Sequence, residues 1–211
     1  MHHFQFAHHM CCGRITGAKI ILRMTLAILF ALALAGCATT RTTSPFEPKS
    51  INEVRFRDRS QSKDDPDVRV TTAVPSAEET EAIFGSNLAG KEIQPIWVKV
   101  ENHSDRTYYL VSAAVDPNYF SPNETSNAVD GGLSKSAQKE IEYYFRSMTF
   151  RNPILPDTAV SGFIFTNLDE GEKVVQIDLI GHQQVKYFTF FVQVPGMRVD
   201  YRMVDFHSLY A

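Results

Sequence analysis

The sequence predicts a mainly β fold, an antiparallel β-sandwich carrying two helical insertions, and three observations lead there. Apolar and polar side chains alternate at period two through much of residues 68–194, the pattern of half-buried strands. The strand-like runs are separated by turn chemistry, such as Asn102-His103-Ser104-Asp105, rather than by regularly spaced helices, so there is no βαβ rhythm. Two stretches break the alternation and carry helix signals instead.

Taken in order, Val68, Val70, Thr72 and Val74 share one face of a first strand. Ser76-Ala77-Glu78-Glu79 is a capping box and Gly85 a helix stop, which together predict a helix of roughly two turns. After Pro95, Ile96, Val98 and Val100 alternate with Trp97, Lys99 and Glu101, and the Asn-His-Ser-Asp turn leads into a strand expected over Tyr108–Val115. Residues 116–132 hold Pro117, Asn118, Pro122, Asn123, Asn127, Gly131 and Gly132, and are expected as a long loop. The second helix runs from about Ser134 to Met148, with Ala137, Ile141, Phe145 and Met148 on one face and Pro153 and Pro156 beyond its end. Phe163 and Phe165 begin the last group of strands. Asn167-Leu168-Asp169-Glu170-Gly171 then forms a hairpin loop, followed by Val174–Ile180 and Val185–Val194, stopped by Pro195-Gly196. At least six strands are expected. A body spanning residues 67–211 buries roughly two-thirds of its unfolded surface, enough for stability without disulfides.

Cysteine and charge narrow the function classes. Cys11, Cys12 and Cys37 are the three cysteines, so the chain beyond residue 37 can form neither a disulfide nor a thiolate metal site. The first 36 residues carry Arg14, Lys19 and Arg23 and no acid, which leaves 18 of the 21 basic and all 24 acidic residues beyond them, a net of −6. A mildly acidic body repels phosphate backbones, and nucleic acid is excluded as a partner on that ground.

Residues 25–36, Thr-Leu-Ala-Ile-Leu-Phe-Ala-Leu-Ala-Leu-Ala-Gly, follow the three cations and are shorter than the roughly 18 apolar residues a membrane span needs. A charged start, a short apolar run and a small-residue exit have the build of a secretory signal. The exit Leu34-Ala35-Gly36-Cys37 resembles a bacterial lipobox. That resemblance implies cleavage after Gly36, lipidation of Cys37 and anchoring of the chain to a lipid bilayer through the acylated cysteine. Ala38 stands where an aspartate would signal inner-membrane retention, which favours the periplasmic face of the outer membrane. The expected organisation is a lipoprotein signal peptide at 1–36, a lipidated flexible tether at 37–66 that is Thr/Ser/Pro-rich and then charged, and a β-sandwich at 67–211.

The order of strand, Val-x-Asn-x-Ser, strand, long excursion, proline and strand pair resembles the immunoglobulin-like domains carried by many bacterial lipoproteins. Those domains serve mostly in binding or assembly. The stretches IQPIWVKVENHSD (93–105), DPNYFSP (116–122), SGFIFTNLDEG (161–171) and FFVQVPG (190–196) are also similar to a family of secreted bacterial modules that accompany LssY-type C-terminal regions. That likeness implies a domain type and no activity.

Catalytic and metal motifs fare poorly. Gly85-Ser86-Asn87-Leu88-Ala89-Gly90-Lys91 matches a phosphate loop in spacing, but it follows a helix, precedes a strand and has Glu92 where Ser or Thr is required. His103, His182 and His207 have no ligand spacing, and no metal or cofactor is expected. G-x-S-x-G is absent from the sequence, and Ser161-Gly162 sits in an alternating strand. The pairs Asp64-Asp65 and Asp169-Glu170 fall in the expected tether and hairpin tip, where acids are solvated and ordinary. Aromatic residues are the least bland feature. Tyr108, Tyr109, Tyr119, Phe120, Tyr143, Tyr144 and the group from Phe188 to Phe191 exceed what one face of a single β core requires. Tyr119 and Phe120, in the 116–132 loop, are the candidate binding residues, for an envelope protein or a glycan. The sequence therefore predicts a non-enzymatic envelope lipoprotein that binds or scaffolds another component. An exported hydrolase with a site assembled from scattered Asp, His and Ser is the competing expectation.

Overall fold

The computed structural model describes residues 46–129 and 134–196. At its centre lies β3, Ile93–Asn102, most of whose residues are buried although their sequence alternates. A strand buried on both sides needs a packed layer against each face. One face of β3 meets a second sheet and the other meets helices.

β3 pairs antiparallel with β2 (Val68–Ala73) and with β6 (Ala159–Asn167). β1 (Gln61–Asp64) adds to β2, and β5 (Tyr119–Phe120) adds to β6, giving a five-stranded sheet in the order β1-β2-β3-β6-β5. The second sheet has three strands in the order β4-β7-β8, with β4 at Tyr109–Leu110, β7 at Glu172–Gly181 and β8 at Gln184–Gln193. Between the sheets lie Val68, Val70, Ile96, Val98, Val100 and Ile164 from the first, facing Val175, Ile177, Leu179, Phe188, Phe190 and Val192 from the second. The structure is thus mainly antiparallel β, two facing sheets with a few helices.

A second core covers the other face of the five-stranded sheet. Helix α1 (Ala77–Phe84) brings Ile83 and Phe84, and helix α4 (Lys135–Met148) brings Ile141 and Phe145, against Ile93, Trp97, Phe163 and Phe165. Rings dominate it: Phe84 lies edge-on to Phe163 at 5.1 Å and to Phe165 at 5.4 Å. Each such buried ring contributes about 2–3 kcal/mol. Two cores account for much of the aromatic excess. Both helices form where their local signals place them. Ser76 Oγ accepts from the Glu79 amide while Glu79 Oε2 accepts from the Ser76 amide, and Gly85 ends α1 at φ 61°. Ser134 Oγ accepts from the Ala137 amide to start α4, and the Tyr144 hydroxyl donates to Ile83 O, tying α4 to α1.

Five expectations need correction. Residues 46–66 are not a free tether: Phe56 is 0% exposed and sits edge-on to Trp97 at 6.0 Å, and β1 pairs with β2. One buried ring in a polar stretch carries no periodicity, and an edge strand is held by its backbone with every side chain exposed. The rest of the expected tether, 37–45, lies outside the described residues. Second, the strand expected over Tyr108–Val115 stops at Leu110 and turns into helix α2, Ser112–Val115; Asn152 clamps Leu110, its Oδ1 accepting from the amide and its Nδ2 donating to the carbonyl. Third, the 116–132 loop contains β5 and helix α3, Pro122–Val129, so the described residues hold four α-helices rather than two insertions. Fourth, residues 167–171 are not a hairpin loop: β6 and β7 belong to different sheets, and the segment crosses from one sheet to the other. Finally, Pro95 lies inside β3 rather than before it. β2 ends at Ala73 opposite Trp97, so at Pro95 only β6 still pairs with β3.

One glycine is required by close approach. A Cβ on Gly162 would lie 2.4 Å from the Phe150 nitrogen, where the segment after α4 crosses β6 and the Phe150 amide donates to Phe163 O.

Candidate functional site

The outward face of the three-stranded sheet is the surface that packing leaves unexplained. β7 and β8 pair in full register, so alternate residues of both strands point away from the core: Val174 opposite Phe191, Gln176 opposite Thr189, Asp178 opposite Tyr187 and Ile180 opposite Val185, with Tyr109 of β4 beside Ile180. A solvated sheet face is ordinarily polar. Here Tyr187 is 67% exposed, Phe191 57%, Val174 52% and Tyr109 51%, with Ile180 and Val185 also in water. Ten residues of two strands, widened by β4 only beside Leu179 and Ile180, make a face about 30 Å by 10 Å, crossed by the polar pair Gln176 and Thr189. A patch of that size is at the scale of the largest found on monomers, which are often functional.

Charge on this sheet is sorted by face. The outward charged side chains of β7 and β8 are Glu172 and Asp178, both acidic, while Lys173 and Lys186 point inward and are ion-paired. Lys173 is 0% exposed, and its ammonium donates to Asp116 Oδ2 at 2.8 Å, Asp169 Oδ2 at 2.7 Å and Asn167 O at 2.8 Å. Asp116 is itself buried and its Oδ1 accepts from the Asn118 amide at 2.7 Å. The node therefore fixes the start of the segment leading into β5. Lys186 pairs with Asp65 and, at 3.0 Å, with Asp67. Partial burial pushes the Asp65 carboxyl up, but the Lys186 ammonium and the Asp67 and Val68 amides outweigh it and hold it below the usual carboxylate range. Burial likewise pulls the Lys186 amine down, and its bonds to Asp65 and Asp67 more than reverse this.

The free edge of β8 is blunted. Gln61 Nε2 donates to Phe191 O at 2.8 Å and Lys63 Nζ donates to Thr189 O, so β1 occupies two of the carbonyls that an added strand would use. What this sheet offers a partner is its face.

The residues nominated from sequence are distributed differently. Cys37 and His207 lie outside the described residues. Tyr119 and Phe120 form β5, half-buried, with Tyr119 packed on the core between the sheets and Phe120 on the helix-covered core. Burial, helped by the nearby Glu124 carboxylate, pushes the Tyr119 phenol above its ordinary value. His103 and His182 are exposed in separate turns, and among the described residues no His, Cys, Asp and Glu group could hold a metal. Gly90 donates its amide to Asn87 Oδ1, closing the Gly85–Lys91 turn on itself. The two acid pairs were misjudged: Asp65 and Asp169 each meet a lysine, 121 and 4 residues away in the chain. A shallow cleft at the β1–β8 seam is lined by Arg59, Gln61, Val192, Gln193 and Pro195, a set without acid or histidine. The outward face was half visible in sequence, since Tyr109 and the Phe188–Phe191 group were noted as excess aromatics. Comparison with known proteins finds no family model, no curated protein and no solved structure that matches this chain.

Proposed function

We propose that this chain is a non-catalytic bacterial envelope lipoprotein whose Ig-like sandwich, tethered through Cys37 to the periplasmic face of the outer membrane, binds another envelope component on the outer face of β4-β7-β8. The observation that carries the binding reading is the exposure of Tyr109, Val174, Ile180, Val185, Tyr187 and Phe191 on one face of the sheet. The lipobox residues 34–37 support the location. Among the described residues no helix is long and apolar enough to cross a membrane. The Ig-like reading rests on two facing antiparallel sheets joined by a chain that passes from β3 to β4.

The test places a photo-crosslinking residue at Tyr187 in living cells, with the more exposed Tyr143 on α4 as the comparison site. A discrete adduct at 187 and not at 143, lost with Phe191→Ser, is the expected result. Equal labelling at both positions would refute a partner on this face. Cys37→Ser should abolish incorporation of a palmitate analogue and release the protein from membranes; continued membrane labelling would refute the anchor.

A further inference from the structure

We propose that the element docking on the β4-β7-β8 face is a single amphipathic helix whose apolar stripe is bordered by Lys or Arg. This inference rests on the binding reading above and names the chemistry of its partner.

Three features of the surface lead to it. Shape comes first: a face two strands broad along most of its length, about 10 Å wide and 30 Å long, matches the 10–12 Å width of one helix and the length of about 20 helical residues. Its geometric area, on the order of 300 Å², is below the roughly 800 Å² per partner of a standard globular interface, which argues against a second copy of this chain. Backbone comes next. With Thr189 O and Phe191 O taken by Lys63 and Gln61, a docking element gains little by offering strand edges, and a helix satisfies its own backbone groups.

Charge decides the border. β7 and β8 turn both of their lysines inward onto acids and both outward acids, Glu172 and Asp178, into solvent. Gln176 Nε2 donates to Asp178 Oδ1 at 3.1 Å, and Asp178 lies opposite Tyr187 in the register. An acidic strip with exposed aromatic faces is complementary to cations, through ion pairing at Asp178 and cation–π contact at Tyr187 and Phe191. The same sign repels anionic lipid headgroups and phosphate polymers. Val174, Ile180 and Val185 favour apolar side chains over sugar hydroxyls.

Two 20-residue amphipathic helical peptides are the probes, one of Leu and Arg and a twin of Leu and Glu, titrated against the full chain by fluorescence anisotropy. The Arg peptide should bind at least tenfold more tightly than its twin. Tyr187→Ser should weaken it at least tenfold, and Asp178→Asn with Glu172→Gln about threefold with a flatter salt dependence, all without lowering Tm. Equal binding of the twins, still sensitive to Tyr187→Ser, would overturn the basic partner while leaving the face as a binding surface. A neutral chitooligosaccharide that binds at Tyr187 where the peptide does not would assign the face to glycan and overturn it too. So would binding that appears only after residues 197–211 are deleted, which makes that segment the occupant, or a dimer in sedimentation that Tyr187→Ser dissolves. If no probe binds while the cellular crosslink at 187 persists, the helix proposal fails and the binding function stands; if both are absent, both fail.

Discussion

Replacing Lys173 with Met keeps the length of the side chain and removes the ammonium that three acceptors surround. The two carboxylates then differ in their alternatives. Asp169 is 37% exposed and can turn to water, so its loss is small. Asp116 is 8% exposed and keeps only the Asn118 amide, leaving a charge with little solvent. Breaking one partner of a buried pair costs about 3–5 kcal/mol, and the lower end applies because Asp116 retains one hydrogen bond. For a domain of this size each kcal/mol moves Tm by about 2–4 °C, so Lys173→Met should melt about 6–12 °C lower by calorimetry. Adding Asp116→Asn removes the orphaned charge and should restore about half of the loss. A Lys173→Met protein within 1 kcal/mol of the parent, or a double variant no more stable than the single one, would refute the assignment of the node as a stabilising lock.

Phe56→Ala should cost about 3–5 kcal/mol in urea unfolding, because its fully buried ring packs on Trp97 and Phe163; a fragment starting at Asp67, lacking Phe56 and β1, should be destabilised at least as much, and unchanged stability of either would return residues 46–66 to a tether. Tyr119→Ala and Phe120→Ala should each cost about 2 kcal/mol, since half-buried rings forfeit about half of a full cavity penalty; unchanged melting would show that the rings do not hold β5 in place. The Asp65–Lys186 pair makes stability pH-dependent at both ends. The lowered Asp65 value gives stability that is complete above its unfolded value of about 3.9 and lost as pH falls through the folded value. The raised Lys186 value gives stability that is complete below about 10.4 and lost as pH rises through the folded value. Lys186→Met should flatten both limbs in pH-dependent unfolding, and unchanged limbs would assign the titration elsewhere.

Local signals were enough for α1 and α4, because a capping box, a C-terminal glycine and a 3.6-residue stripe act within a few neighbours in the chain. Strands β7 and β8 and the antiparallel class were legible for the same reason, from alternation and turn residues; that residues 167–171 join two sheets rather than two paired strands was not. Alternation says which side chains share a face, not what the face meets. Val174 and Ile180 are as apolar as Val175 and Ile177, and only the packing of the five-stranded sheet against one side of β7 leaves the other in water. Phe56 joined the fold, and Lys173 found Asp116, through contacts far apart in sequence. Sequence by itself therefore determined the secondary elements that short-range hydrogen bonding and periodicity encode. Tertiary structure decided where the domain begins, which acids are paired and which sheet face is exposed, because burial and charge pairing depend on what the folded chain brings alongside each residue.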